Sequence, residues 1–562
     1  MAKKGNLIVT QKNNLTVLAL LAGILAFTGL LYFESLQGRF LNYDDTDNVV
    51  NNPMIRQFSA GQAGHIFSHS FLYMYTPLAF ISYAADYAFS GAEPFFFRLT
   101  NLLLHLLNVA LVFMLANRLI RKTAPAGLVA LLFALHPMNP DTVSWISARS
   151  NLLSTLFFLL CLLAYLRYLR NRKIAFYLLV IPLFLLSLLS KPSGLMLPVV
   201  LLLADYLEKR RLTLKVILEK VPLVVLSLLF GLVTLYFRSD AGSPQAVAGF
   251  NPADRVFMIG YTSAGYLVHA IFPWNLSAVY AYPLKHGVFL PVWFYMAPVF
   301  LAGVGSLVFR ATFLKREMIF GLLFFFVNIL VTQAALLEDG FMANRYQYLP
   351  GIGLFFIIGA VAGKLISRSK ATRYILLAVT GIYLLYFSVY TRQRSLVWTD
   401  TLTLFDDAVK HEPGSAFALN NRGIARYSLN DQEGALEDYS RAIVIYPGYS
   451  GAFYNRGIVF YDLKDFARAR QDYTAAIGLN PRFASSYMAR GILEMDVLQD
   501  SRLAMEDYNH AISLNPGMAR AYYNRGILWL RMKETARACD DFHQVRRLGY
   551  DRADDLISRF CE

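Results

Sequence analysis

Charge is what this sequence has least of: only 16% of its 562 residues are Asp, Glu, Lys or Arg. A soluble chain of that length carries nearer a quarter, so an ordinary soluble protein is excluded. Hydrophobic residues make up 56%, and many apolar runs reach or approach the ~20 residues that cross a bilayer. The charge that is present sums to +15. In a soluble protein that excess suggests nucleic acid. Here the basic residues sit in short loops between apolar runs, the positive-inside pattern, so they report topology and no nucleic-acid partner is expected. Cysteine is scarcer still. Cys161 lies inside an apolar run and Cys539 and Cys561 lie near the C-terminus, with no metal-ligand spacing among them. The latter two are candidates for pairing in an oxidising compartment. A cleavage site is also lacking after the first apolar run, where Glu34-Ser35-Leu36-Gln37 stands, so that run reads as a retained span.

Eleven spans are expected, at about 15–33, 99–117, 125–135, 151–167, 175–189, 195–207, 216–236, 291–309, 318–337, 347–366 and 372–390. Lys3 and Lys4 keep the N-terminus in the cytoplasm, which puts the loop 34–98 outside. The stretch 256–272 reads as a peripheral or re-entrant helix on the outer side. If it crossed, the basic segment Arg310 to Arg316 would fall outside, against the charge rule. On this count everything after Tyr390 is extracytoplasmic. Short loops and the lack of eukaryotic targeting signals point to a bacterial inner membrane.

From about 395 the apolar runs vanish and a repeat begins. Asn421-Arg422-Gly423, Asn455-Arg456-Gly457, Ala489-Arg490-Gly491 and Asn524-Arg525-Gly526 recur at spacings of 34, 34 and 35. Ala435, Ala469, Ala504 and Ala538 share a second register, Tyr439, Tyr473, Tyr508 and Phe542 a third, and Pro447, Pro481 and Pro516 close units. This is the period of a tetratricopeptide helix–turn–helix repeat. The chain therefore divides into a membrane domain, 1–394, and a repeat domain, 395–562, with a half repeat followed by four full ones. An all-α fold is expected: a polytopic helix bundle, then an α-solenoid. Stacked repeats form a concave surface, here 415–550, that suits an extended peptide or another subunit. The repeated arginines and tyrosines read as core and cap more readily than as ligand contacts.

The outer loops carry the chemistry. Asp44, Asp45 and Asp47 fall within four residues, and carboxylates beside hydrocarbon are costly unless solvated or partnered. On the same face come His136 with Asp141, Arg149, Lys191, and the segment from Glu338-Asp339-Gly340 to Arg345-Tyr346. A carboxylate can deprotonate a hydroxyl or hold a metal near a leaving phosphate. Cations stabilise the charge that develops on a departing phosphate, and the fork of arginine matches its oxygens. Together these residues suit transfer from a lipid-linked phosphate. Singly, His136 and Lys191 also suit caps or interfaces, and Arg149 and Arg345 also suit snorkelling anchors.

The motifs Tyr43-Asp44-Asp45, Tyr75-Thr76-Pro77-Leu78, Asn101-Leu102-Leu103-Leu104-His105, His136-Pro137, Leu189-Ser190-Lys191, Asn251-Pro252-Ala253 and Arg345-Tyr346-Gln347-Tyr348-Leu349-Pro350 occur in this order. In that order the chain resembles the transmembrane and tetratricopeptide repeat O-mannosyltransferases of the GT-C glycosyltransferase superfamily. The resemblance implies inverting transfer of a sugar from a polyprenyl-phosphate donor to a protein Ser or Thr hydroxyl, on the non-cytoplasmic side. It implies that the catalytic acids are Asp44 and Asp45, with Asp44 the base, that Asp141 is the second acidic position, and that Arg345 lies near the donor phosphate. The need for a divalent metal stays open. Thr76, Asn151 and Pro192 depart from the family pattern, which usually has arginine, an acid and glutamate there. Two other classes remain: a non-catalytic membrane scaffold whose repeats hold an envelope or appendage complex, and an enzyme acting on a glycolipid or polysaccharide.

Overall fold

The structure, a computed structural model, describes residues 2–56, 60–68, 74–239, 249–285, 287–339 and 341–561. It consists of two compact units, Met1–Asp407 and Ala408–Glu562.

Among the described residues of the first unit, seven helices are long and apolar enough to cross a membrane: Leu15–Gln37, Pro94–Ile120, Ile146–Asn171, Leu214–Phe237, Val292–Arg310, Lys315–Gln333 and Lys370–Leu396. Four shorter apolar helices, Thr123–Ala134, Ile174–Ser190, Pro192–Leu207 and Gly351–Leu365, fill the four remaining expected positions. The shortest is buried among its neighbours. Gly359 permits this: a Cβ there would run into Val129 and the carbonyl of Pro125, so small residues bring the two backbones together. At the periphery the bundle shows water-averse side chains outward. Leu228, Leu232 and Leu235, Val299 and Leu307, and Ile375, Ile382 and Leu385 are all exposed, which fits hydrocarbon as the surrounding solvent.

The helix Pro252–Ile271 is long enough to cross, at 20 residues, but is not among the apolar spans. Asn251 and Asp254 cap its start reciprocally, the side chain of each accepting from the backbone of the other. Its two ends are tied to one side of the unit. Asp254 pairs with Lys285 at 2.7 Å, and at the other end the Ala270 carbonyl meets His136 Nε2 at 3.2 Å.

That side also gathers the segments around 38–52, 136–147, 191–193, 273–291, 341–350 and 391–407. Arg98 joins three of them to the end of the first span. Its guanidinium donates to the carbonyls of Ser35 (3.3 Å), Arg39 (2.7 Å), Ser144 (2.6 Å) and Trp398 (2.7 Å). Gly38 makes room for it, since a Cβ there would stand 2.6 Å from the Arg98 Cζ. Arg39 N–H donates to the Thr399 carbonyl at 2.7 Å and Arg394 grips Asp407 at 2.7 Å, so residues 394–407 pack within the first compact unit.

At the opposite side Lys122 donates to the Gly363 carbonyl, Arg118 and Arg121 approach Glu208, and Lys364 and Arg368 flank the Phe313 ring. The loops expected on the cytoplasmic side therefore share one face.

The second unit is a ladder of helix pairs, 416–428 with 432–445, 450–462 with 466–479, 484–493 with 501–514, and 519–531 with 535–547. In each pair the arginine of the repeated tripeptide grips an aspartate on the following helix: Arg422–Asp438 (2.6 Å), Arg456–Asp472 (2.8 Å), Arg490–Asp507 (2.8 Å) and Arg525–Asp541 (2.7 Å). The glycine beside it lets an aromatic ring of that helix approach. A Cβ at Gly457 would meet Tyr473 Cε1 at 2.7 Å, and one at Gly526 would meet Phe542. The single 35-residue spacing is absorbed by a π-helical turn at Glu494–Leu498, a way of fitting one extra residue without breaking the helix. Cys539 and Cys561 are joined by a disulfide.

Candidate functional site

Asp44 and Asp45 are adjacent, yet their surroundings divide their roles. Asp45 is fully buried. Its Oδ2 accepts from Leu41 N–H at 3.1 Å, and its Oδ1 accepts from both the N–H (3.0 Å) and the hydroxyl (2.5 Å) of Ser147. Burial pushes its carboxyl up to about 6, against these hydrogen bonds and the charge of Arg98. It holds the outer loop to the start of the helix Arg149–Asn171. Asp44 is half-buried and stands at φ 66, a left-handed conformation that aspartate tolerates better than most residues and that recurs at functional sites.

Aromatic rings build the wall beside it. Tyr43 stacks on Trp145 at 4.9 Å, Trp145 stacks on Trp398 at 5.4 Å, and the Trp145 indole N–H donates to the Tyr43 carbonyl at 3.1 Å. The Arg345 guanidinium lies 5.0 Å from both the Trp145 and Tyr346 rings, placements that favour a cation. Lys191 Nζ is 5.4 Å from the same Tyr346 ring and donates to Asn151 Oδ1 at 2.8 Å. Burial works against the charged form of Arg345, but Tyr346, Tyr43, Asp141 and Asp44 outweigh it and hold the group firmly protonated.

Asp141 is buried on the short helix Pro140–Val143. Burial pushes its carboxyl up to about 7, against Arg394, Arg345 and the amide of Asn344. One of its oxygens, Oδ2, has no hydrogen-bond partner, and neither do Nε and Nη2 of Arg394, the hydroxyls of Thr142 and Ser144, or the Trp398 indole N–H. Buried polar atoms left in this state call for water or a ligand.

The structure thus brings Asp44, Asp141, Arg345 and Lys191 to one place, with Asp45 behind them. It does not bring His136 or Arg149. His136 packs between Phe355 and Phe387, accepts from Met138 N–H on Nδ1, and meets the Ala270 carbonyl on Nε2. Burial lowers it to about 3, so it is neutral. Arg149 is fully buried and spent on Asp86 (2.5 Å), Asn101, the Phe97 carbonyl and the face of Tyr83. The side chains of Glu338 and Asp339, and all of Gly340, lie outside the described residues. Trp145, Trp398, Arg394 and Arg98 were not singled out by sequence. The one available signal was their rarity, as indoles and guanidiniums beside apolar runs. Among the described residues no three His, Cys, Asp or Glu converge in a metal-ligating set.

Comparison with known proteins adds to this geometry. The tetratricopeptide repeat family matches residues 398–450 and 454–496. A protein O-mannosyl-transferase of Caenorhabditis elegans is 26% identical over 411 residues, covering 70% of this chain and 58% of its own. The repeat unit is under a third of the chain, so that match runs well into the membrane unit. This chain is similar to the protein O-mannosyl-transferases. The human protein O-mannosyl-transferase TMTC1 is 34% identical over 158 residues, covering 26% of this chain and 17% of its own. The chain therefore spans about a sixth of that relative and just over half of the nematode one. Among solved structures, MamA aligns at a TM-score of 0.25 and 22% identity, over 27% of this chain and 89% of its own.

Proposed function

We propose that this protein is a membrane glycosyltransferase that moves a sugar, on the reading of its relatives a mannose, from a polyprenyl-phosphate donor to a Ser or Thr hydroxyl of a protein. The observation that carries the reading is Asp44, held half-buried in a left-handed conformation within the field of Arg345. Asp44 takes the proton of the acceptor hydroxyl. The hydroxyl oxygen forms a bond to the anomeric carbon as the bond from that carbon to the phosphate oxygen breaks. The electron pair leaves with the phosphate, and configuration inverts. Arg345 and Lys191 stabilise the negative charge on the departing phosphate. Asp45 positions the loop, and Asp141 sets the electrostatics around Arg345.

The reading places this chemistry on the non-cytoplasmic side. Residues 391–407, the last of the membrane unit, pack at the face that holds Asp45, and no span follows them among the described residues. The disulfide Cys539–Cys561 suits an oxidising compartment. The repeats then serve to capture the acceptor polypeptide, the use for which solenoid surfaces are suited. Intact-mass measurement of glycan occupancy on acceptor proteins, in cells carrying Asp44→Asn, tests the reading. Loss of occupancy at normal protein levels is expected. Unchanged occupancy overturns the enzyme and leaves a membrane-anchored repeat scaffold.

A further inference from the structure

On the side of the membrane unit opposite Asp45, six cations converge. Arg118 and Arg121 close the helix Pro94–Ile120, Arg170 and Arg172 close Arg149–Asn171, and Lys209 and Arg210 follow Leu197–Leu207. These three helix ends enclose an open cleft of about 850 Å³ whose one lining carboxylate is Glu208. Glu208 answers Arg118 at 3.8 Å and Arg121 at 3.7 Å, both loose contacts. Arg210 is engaged by Glu219 at 2.7 Å. Arg170, Arg172 and Lys209 have no carboxylate partner among the described residues. The cleft is therefore strongly cationic and incompletely neutralised.

Topology alone explains basic residues at these ends. It does not explain the backbone on which three of them stand. Arg121, Arg172 and Lys209 have φ of 60, 56 and 60. A helix that closes in this left-handed conformation ordinarily uses glycine, because a Cβ is strained there. A long cation stands at all three positions instead.

A second feature meets the cleft. On the helix Pro94–Ile120 the exposed large side chains are Leu103, Leu107 and Met114. Their spacing puts them on the same face as Arg118 and Arg121. An apolar stripe thus runs along the helix and ends in the cationic cleft. That is the outline of a lipid, with an acyl chain on the stripe and an anionic head at its end.

We propose that this cleft holds the phosphate headgroup of an anionic phospholipid from the leaflet on that side. The shared chemistry is a phosphate, and basic pockets between membrane helices take such headgroups. The phospholipid is the source favoured by the stripe, which a free phosphate would leave uncovered. The site is separate from Asp44 and independent of the proposed transfer.

The test uses the full chain in a neutral detergent, with lipid adducts counted by native mass spectrometry and unfolding followed by thermal shift. Dioleoylphosphatidylglycerol, dioleoylphosphatidylcholine, polyprenyl phosphate and inorganic phosphate are the probes. Retention of phosphatidylglycerol over phosphatidylcholine is expected. The Arg121→Gly/Arg172→Gly double variant should bind phosphatidylglycerol about 25-fold more weakly, at about fivefold per cation. Its melting temperature without lipid should hold or rise, because glycine relieves the left-handed strain. If that variant proves unstable, Arg170→Gln, on an exposed residue, should still lose about fivefold. Equal retention of the two phospholipids, or undiminished binding in the variants, overturns the proposal. So does preference for polyprenyl phosphate, which assigns the cleft to the donor lipid. Equal protection by inorganic phosphate overturns it too, in favour of a soluble ligand.

Discussion

Ser147 donates both its backbone N–H and its hydroxyl to one oxygen of Asp45, at 3.0 and 2.5 Å. With Leu41 on the other oxygen, that carboxylate has little capacity left for a substrate, whereas its neighbour Asp44 stands half-buried at the edge of the aromatic wall. The two aspartates should therefore fail differently. Asp44→Asn should lower turnover by about 10²–10⁴-fold, the usual effect of losing a positioned base, with an unchanged melting temperature. Asp45→Asn sets an amide N–H₂ or a lone carbonyl against donors already in place. It should cost on the order of 1–3 kcal/mol of stability, read as a lower melting temperature and lower protein level. Equal activity loss without any stability difference would contradict the division.

Arg345 is held by two rings and by the charges of Asp44 and Asp141. Arg345→Lys keeps the charge but loses the planar fork and its stacking on Trp145. Donor KM should rise on the order of tenfold, with a smaller change in kcat for Lys than for Ala. Titrating a water-soluble short-chain polyprenyl-phosphate sugar measures both quantities, and an unchanged KM in both variants removes Arg345 from the donor site.

Asp141 offers a pH test. Its carboxyl is raised by burial to about 7 in the folded protein, above the ordinary value of 3.8. A raised carboxyl means that the folded state binds the proton more tightly than the unfolded one. The stability this provides is complete below about 4 and is lost as pH rises through 7. Asp141→Asn never ionises, so its melting temperature relative to wild type should climb between pH 4 and pH 8. A difference that stays flat with pH would show that Asp141 is already ionised at the low end.

In the repeats, Gly457→Ala drives a Cβ to 2.7 Å from the buried ring of Tyr473. Overpacking costs about 1–3 kcal/mol, and alanine recovers about 1 kcal/mol of helix propensity. A net loss of up to about 2 kcal/mol should appear in the unfolding of a 395–562 fragment, which should melt as one cooperative unit. At Gly478, where a Cβ meets nothing within 4 Å, the same substitution should stabilise.

How much of this was legible beforehand depends on the range of the interaction. The repeats were fully written in the sequence, because each unit restates the same contacts about 16 residues apart, Arg456 with Asp472 and Arg490 with Asp507. The spans were legible because solvent preference acts residue by residue. Asp44 and Arg345 were legible as types of chemistry near the same membrane face. What sequence could not separate was a free charge from a spent one. Arg149 suited a phosphate contact as well as an anchor, and His136 a site residue as well as a cap, and only the structure sets Asp86 against the one and the Ala270 carbonyl against the other. Arg98 is the extreme case, since its partners Ser35 and Trp398 lie 63 and 300 residues away. Nothing local announces a guanidinium that serves four backbone carbonyls.

Sidedness decides whether the proposed chemistry has the right compartment. The Thr391 hydroxyl, near the end of the helix Lys370–Leu396, donates to the Leu135 carbonyl at 2.6 Å, one residue before His136. The last span therefore ends at the face of Asp45 and Asp141. The basic ends at 118–122, 208–211 and 364–373 gather at the other face, and the positive-inside rule puts that face in the cytoplasm. With no further span among the described residues, the proposed orientation expects the repeats outside. Val444→Cys, at a highly exposed repeat position, should react with an impermeant maleimide on intact spheroplasts. Lys209→Cys, in the basic cleft, should react after lysis alone. Cys161 is buried and the other two native cysteines are joined, so the background is low. The reverse labelling pattern would put Asp44 in the cytoplasm, where a donor and acceptor would have to meet on the opposite leaflet.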